Sequence, residues 1–175
     1  MAAIEIDQSG KWEAHTHTVI GVGIGNSSYS ALITNKSKNA VQGILGKFYQ
    51  EKNRSKKQLI IRMFTYSVFL SIRDLTREND SILIDQEYQG NECAIRDLLL
   101  YLFRRFTPHC LSPNSIQFGL VGKHCPAHIA AHETFTYGRD PDKILKFEDY
   151  AELLDRTEEI RKKAFLKRKQ RNESK

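Results

Sequence analysis

Two short segments, each ending in an aspartate, constrain the fold of this chain more than any other feature. The first runs from Ile4 to Asp7 and the second from Ile82 to Asp85. Side chains alternate between the two faces of a strand, so in each segment the isoleucines point one way and the aspartate points the other. Glu87 shares the face of Asp85. If the two strands are neighbours, the carboxylates lie side by side, and a divalent cation is the usual means of offsetting their repulsion.

Hydrophobic periodicity predicts the other elements. A period of two predicts strands at residues 3–8, 14–25, 29–34, 81–86 and 115–121, the first three joined by short turns as an antiparallel meander. A period of 3.6 predicts helices at residues 39–49, at 61–75 with one apolar face, at 91–106, from Pro126 and from Phe147. Gly21 and Gly23 do not have nucleotide-loop spacing and are interpreted as sites of close backbone approach within the sheet. The order is typical of an α/β domain.

Length and cysteine content favour one intracellular domain. A chain of 175 residues can bury a core of its own, which we assign to residues 1–155. Its three cysteines lack the spacing of a disulfide framework, which predicts a reducing, cytoplasmic location. The N-terminal residues do not resemble a signal peptide, and no apolar run is long enough to span a bilayer, so no membrane association is expected.

The positive charge is concentrated at the C-terminal end. Residues 156–175 hold nine Lys/Arg and three Asp/Glu, which accounts for the whole net charge of +6. Such a segment suits the phosphates of a nucleic acid, although a solvated end would have the same composition. A second basic stretch precedes the 61–75 helix, and there too solubility alone is an alternative. The candidate phosphate-binding residues are Lys52, Arg54, Lys56, Lys57, Lys123, Arg161, Lys162, Lys163, Lys167, Arg168, Lys169 and Arg171.

The order of elements, with an aspartate at the end of strand one in the setting Ile6-Asp7-Gln8-Ser9-Gly10 and a second at the end of strand four, resembles the ribonuclease H-like superfamily. This superfamily includes ribonucleases H, retroviral integrases, Holliday-junction resolvases and Argonaute slicer domains. The resemblance covers roughly residues 3–133. It implies a five-stranded mixed sheet, with a meander of strands 1–3 and parallel strands 4 and 5, flanked by helices.

The resemblance also implies a site and an activity. Asp7 and Asp85 would ligate Mg²⁺ or Mn²⁺, with Glu87 as a further candidate, and the protein would hydrolyse phosphodiester bonds by a two-metal mechanism. The substrate would be RNA, DNA or a hybrid. Such sites need another ligand after strand five, and His128, His132 or Glu133 would complete the catalytic set.

Two alternatives to the nuclease stay open from the sequence. The helix at 39–49 has no acid in its early part, where ribonucleases H place a catalytic glutamate, so a non-catalytic member that binds nucleic acid or a protein is the second hypothesis. The third is a small zinc module, in which Cys110, Cys125, His128 and His132 would supply the ligands. The amphipathic final helix could also pair with a copy of itself in a homodimer.

Overall fold

The computed structural model describes residues 2–51 and 55–153. The strands are β1 (Ala3–Ser9), β2 (Thr18–Ile24), β3 (Ser27–Ile33), β4 (Ser81–Asp85), β5 (Ile116–Gly119) and β6 (Lys143–Leu145). The α-helices are α1 (Asn35–Glu51), α2 (Lys56–Ile72), α3 (Glu92–Phe106) and α4 (Pro126–Thr136), and a short 3₁₀ helix covers Pro113–Ser115. Residues 147–153 are also helical.

The strands form one mixed sheet in the order β5-β4-β1-β2-β3-β6. The predicted meander is confirmed, because β2 is antiparallel to both β1 and β3. β4 pairs in parallel with β1, and β5 pairs in parallel with β4. The prediction of five strands is wrong, because β6 adds a sixth, parallel to β3. Three residues are too few to show an alternating pattern, so this strand exists only through its pairing with β3.

One face of the sheet carries the hydrophobic core. The isoleucines of β1 and β4, together with Ile20 and Val22 of β2, pack with α2 and α3 in a single buried cluster. α2 is buried from Leu59 to Ile72, although an amphipathic helix with one apolar face was predicted. Its small polar residues fit this environment because Thr65, Ser67 and Ser71 donate to carbonyls one turn earlier in the helix. Leu75, predicted to lie on the apolar face, follows the helix and is partly exposed.

Several element boundaries differ from the prediction, and two of these differences affect the site. β2 begins at Thr18 rather than at residue 14, so residues 10–17 form a loop that connects β1 to β2. α1 begins at Asn35 rather than at residue 39, which places Lys38 in its first turn. Only 2% of Lys38 is exposed, and its ammonium group donates to carbonyls of that loop.

No described helix combines the length and the apolarity needed to cross a lipid bilayer.

Candidate metal centre

Asp7 and Asp85 converge because their strands are parallel neighbours in register. Ile6 pairs with Ile84, so the next residue on each strand is an aspartate, at the carboxyl end of the strand. Both aspartates point away from the core face that the isoleucines occupy. Asp85 is held in place by its Oδ1, which accepts a 2.7 Å hydrogen bond from the backbone N–H of Val121, just beyond β5.

Glu87 completes an acidic group with the two aspartates. Its backbone N–H donates to the carbonyl of Asp85 at 2.9 Å, a tight turn that brings the glutamate back over the end of β4. One ligand atom from each of Asp7, Asp85 and Glu87 lies within 4.8 Å of the others. Asp7 is buried, Asp85 is half-buried and Glu87 is exposed, so the group opens toward solvent through the glutamate.

The pKa values of Asp7 and Glu87 are both raised, chiefly by loss of solvent and further by neighbouring carboxylates. Burial raises the pKa of Asp7, and the charge of Asp85 raises it further, against the opposing effects of hydrogen bonds from the Gln8 backbone and from His128. Partial desolvation of its carboxyl group also raises the pKa of Glu87, although the residue as a whole is exposed; the charges of Asp85 and Asp7 add to the shift, whereas Lys11 opposes it. A bound cation would reverse these shifts, because it stabilises the ionised carboxylates.

His128 is the predicted third residue that contacts the acids. Its Nδ1 lies 2.8 Å from Oδ2 of Asp7, as expected if Nδ1–H donates to the carboxylate. The histidine occupies the first turn of α4, which begins at Pro126, and Cys125 caps this helix by accepting from the His128 N–H at 3.3 Å. His128 therefore fixes the orientation of the Asp7 carboxylate.

Two glycines of β2 allow α4 to lie directly on the sheet. Gly21 pairs with Asp7 across β1 and β2, so both residues face α4. A Cβ on Gly21 would be 2.0 Å from the carbonyl oxygen of Ala127, and a Cβ on Gly23 would be 2.9 Å from the Ala127 nitrogen. The predicted close approach is real, but its partner is a helix rather than another strand. This contact places His128 over Asp7.

His132 and Glu133 do not join the acidic group. The His132 ring is exposed and stacks on the His128 ring at a centroid distance of 5.8 Å, one helical turn further from Asp7. Glu133 forms a 3.2 Å ion pair with Arg139. Of the three predicted candidates, His128 is the one whose side chain is bonded to Asp7.

The zinc hypothesis finds no support among the described residues. The group of metal-ligand side chains found there consists of the three acids, and no group of three brings Cys110 and Cys125 together with the histidines. All three cysteines are free, and Cys125 Sγ serves as the helix cap. The acids fit a hard cation such as Mg²⁺ or Mn²⁺ better than zinc, because every ligand atom in the group is a carboxylate oxygen.

Few of the predicted phosphate-binding residues can be placed. Lys56 and Lys57 are exposed in the first turn of α2, and Lys123 is exposed in the turn before α4. The other predicted positions lie outside the described residues, namely Lys52, Arg54, Arg161, Lys162, Lys163, Lys167, Arg168, Lys169 and Arg171. Only residues 147–153 of the predicted dimerisation helix are described.

The loop at residues 10–17, which borders the acids, was not predicted from the sequence. Lys11, on this loop, is the cation that opposes the raised pKa of Glu87. The loop is held by Lys38, whose Nζ donates to the carbonyls of Lys11, Ala14 and Thr16 at 2.8 to 3.0 Å. The sequence did contain a signal for the earlier start of α1. Thr34 precedes the helix, and its hydroxyl accepts from the Ser37 N–H at 3.2 Å, as an N-cap does.

Comparison with protein-family models, with curated proteins and with solved structures gives no significant match for this chain.

Proposed function

We propose that this chain is a metal-dependent nuclease with a ribonuclease H-like fold, which hydrolyses phosphodiester bonds in RNA, DNA or a hybrid. The observation that carries the proposal is the group formed by Asp7, Asp85 and Glu87, whose ligand atoms lie within 4.8 Å of one another at the carboxyl ends of two parallel strands. The order of the first five strands supports the assignment of the fold. The three free cysteines are in keeping with a cytoplasmic location, which is part of the same proposal.

The carboxylates would hold Mg²⁺ or Mn²⁺, which when bound supplies an activated water and stabilises the leaving oxygen. Each residue of the site then has a distinct role. Asp7 and Asp85 present oxygen ligands from rigid strand ends, and the Val121 N–H fixes the orientation of Asp85. His128 fixes Asp7 through its 2.8 Å contact. Glu87 is exposed and adds a ligand from the side open to the substrate.

A second candidate is a non-catalytic member of the same fold that binds nucleic acid. One observation favours it: the first turn of α1 contains no acidic residue, so this helix does not bring a carboxylate to the site from its N-terminal end. In that case the acids would bind a cation that bridges to phosphate without cleaving it.

The test is Mn²⁺-dependent cleavage of labelled single strands, duplexes, an RNA–DNA hybrid and a four-way junction. Asp7→Asn and Asp85→Asn should each abolish cleavage while the circular dichroism spectrum stays unchanged. Glu133→Gln is the matched control, because Glu133 pairs with Arg139 instead of joining the acids, and it should cut like wild type. Binding of a substrate without cleavage would favour the second candidate. Cleavage that survives both aspartate substitutions would refute the nuclease.

A further inference from the structure

A row of aromatic rings leads from the acidic group to solvent. His128 contacts Asp7 at 2.8 Å, and its ring stacks on the His132 ring at 5.8 Å with an interplanar angle of 19°. The edge of the next ring, Tyr137, meets His132 at 5.5 Å and 73°. The two histidines lie one above the other because they are four residues apart on α4.

Tyr137 is fixed in place and largely exposed. It follows the last residue of α4, and its backbone N–H donates to the carbonyl of Glu133 at 2.9 Å, which caps the helix. Despite this fixed position, 75% of the residue is exposed to solvent. A large aromatic ring held open in this way has a face free for a ligand, and the ring contact with His132 restricts its orientation.

A second exposed apolar residue flanks the acids from the side of β5. Leu120 is 87% exposed, and it immediately precedes Val121, whose N–H binds Asp85. Two exposed nonpolar residues are therefore linked to the acidic group, Leu120 through its neighbour Val121 and Tyr137 through the two histidines. Arg139, two residues after Tyr137, is partly exposed and pairs with Glu133 at 3.2 Å. An exposed aromatic ring connected through two stacked histidines to a carboxylate group suited to a metal matches a nucleotide better than it matches a small hydrophilic ligand.

We propose that Tyr137, supported by His132, is a stacking platform for one base of the nucleic acid whose phosphate binds at the acidic group. The platform rests on the proposed function, since it needs a polynucleotide at that group, but it does not require the bond to be cut. Stacking on an aromatic side chain tolerates any base, so the platform would contribute affinity and register rather than sequence preference. The base would lie beside the scissile phosphate, two ring contacts from Asp7.

The test is binding of a fluorescent single-stranded oligonucleotide, measured by anisotropy in Ca²⁺ with strand integrity checked on a gel. Tyr137→Ala should weaken binding about 5- to 150-fold, the range for loss of one stacked base. Tyr137→Phe should bind within about twofold of wild type, because it keeps the ring. Tyr137→Leu distinguishes an aromatic stacking surface from one that is merely nonpolar. If stacking matters, it should bind as weakly as Tyr137→Ala. If Tyr137→Leu binds the oligonucleotide as tightly as Tyr137→Phe, the proposal is overturned.

An abasic scan of the same oligonucleotide adds a readout that a structural role would not move. One abasic position should weaken binding to the wild type but not weaken it further in Tyr137→Ala, because the ring and the base are partners in one contact. Equal losses in both proteins at every position, or no binding of any oligonucleotide, would overturn the platform. A position-specific loss without Mn²⁺-dependent cleavage would support the platform and reject the nuclease. Cleavage that depends on Asp7, with no effect of Tyr137→Ala on binding, would support the nuclease and reject the platform.

Discussion

Replacement of Lys38 by methionine tests how the loop beside the acidic group is held. The ammonium group of Lys38 is buried and lies 2.8 to 3.1 Å from four oxygens, three loop carbonyls and the hydroxyl of Thr18. It also lies 5.4 Å from the ring centre of Trp12, on the same loop. Methionine keeps most of the apolar stem but removes every donor, so these oxygens lose their partner.

The expected loss of stability is about 3 kcal/mol. A hydrogen bond from a charged donor is worth about 1.5 to 3 kcal/mol, and Lys38 has three protons to donate. The full sum is not reached, because burial lowers the pKa of Lys38, so keeping the charge inside already costs free energy that the variant recovers. The loop can also open and expose its carbonyls to water. For a domain of this size the loss corresponds to a fall in melting temperature of about 6 to 12 °C.

Urea unfolding followed by circular dichroism measures this loss. Lys36→Met is the matched control, because Lys36 lies in the same turn of α1 and is exposed, and it should change stability by less than about 0.5 kcal/mol. If Lys38→Met is as stable as the control, the four contacts contribute nothing net and the loop is held by other interactions.

Three further predictions concern the site. Gly21→Ala should lose about 1 to 3 kcal/mol of stability and reduce Mn²⁺ affinity, because its methyl group would push the Ala127 carbonyl and displace α4. Gly43→Ala is the control: it has open space around it and should gain up to about 1 kcal/mol in the same unfolding assay. Without divalent ions at pH 7, Asp7→Asn should melt at or above the wild-type temperature, and a lower melting temperature would contradict this. At a Mg²⁺ concentration 100 times the dissociation constant, wild type should gain about 2.7 kcal/mol of stability, and Asp7→Asn should not. The pKa values of Asp7 and Glu87 are raised in the folded state. Without metal, the wild type should therefore lose stability as pH rises from the ordinary carboxyl pKa through the raised values. Asp7→Asn should show a smaller loss when its melting temperature is measured over the same pH range.

The positions of Asp7 and Asp85 followed from local pattern because a strand has a period of two. Once two strands of the form Ile-x-Ile-Asp are parallel neighbours, alternation alone sends both aspartates to the same face, and the observed pairing of Ile6 with Ile84 satisfies that condition. The antiparallel meander was likewise predicted from the strand pattern, although the connection of β1 to β2 is a loop at residues 10–17 rather than a short turn. These features depend on neighbouring residues along the chain, which sequence periodicity records directly.

The third contact of the site depended on tertiary structure. His128 and His132 share a face of α4, so helical periodicity cannot say which of them meets Asp7. That choice is made where α4 lies on Gly21, a contact between residues more than one hundred positions apart. Burial of Lys38 and formation of β6 have the same origin: each is stabilised by backbone groups of a distant segment, the loop in one case and β3 in the other. Local propensity carries no record of such partners, because the free energy that favours them is released only when the elements pack together.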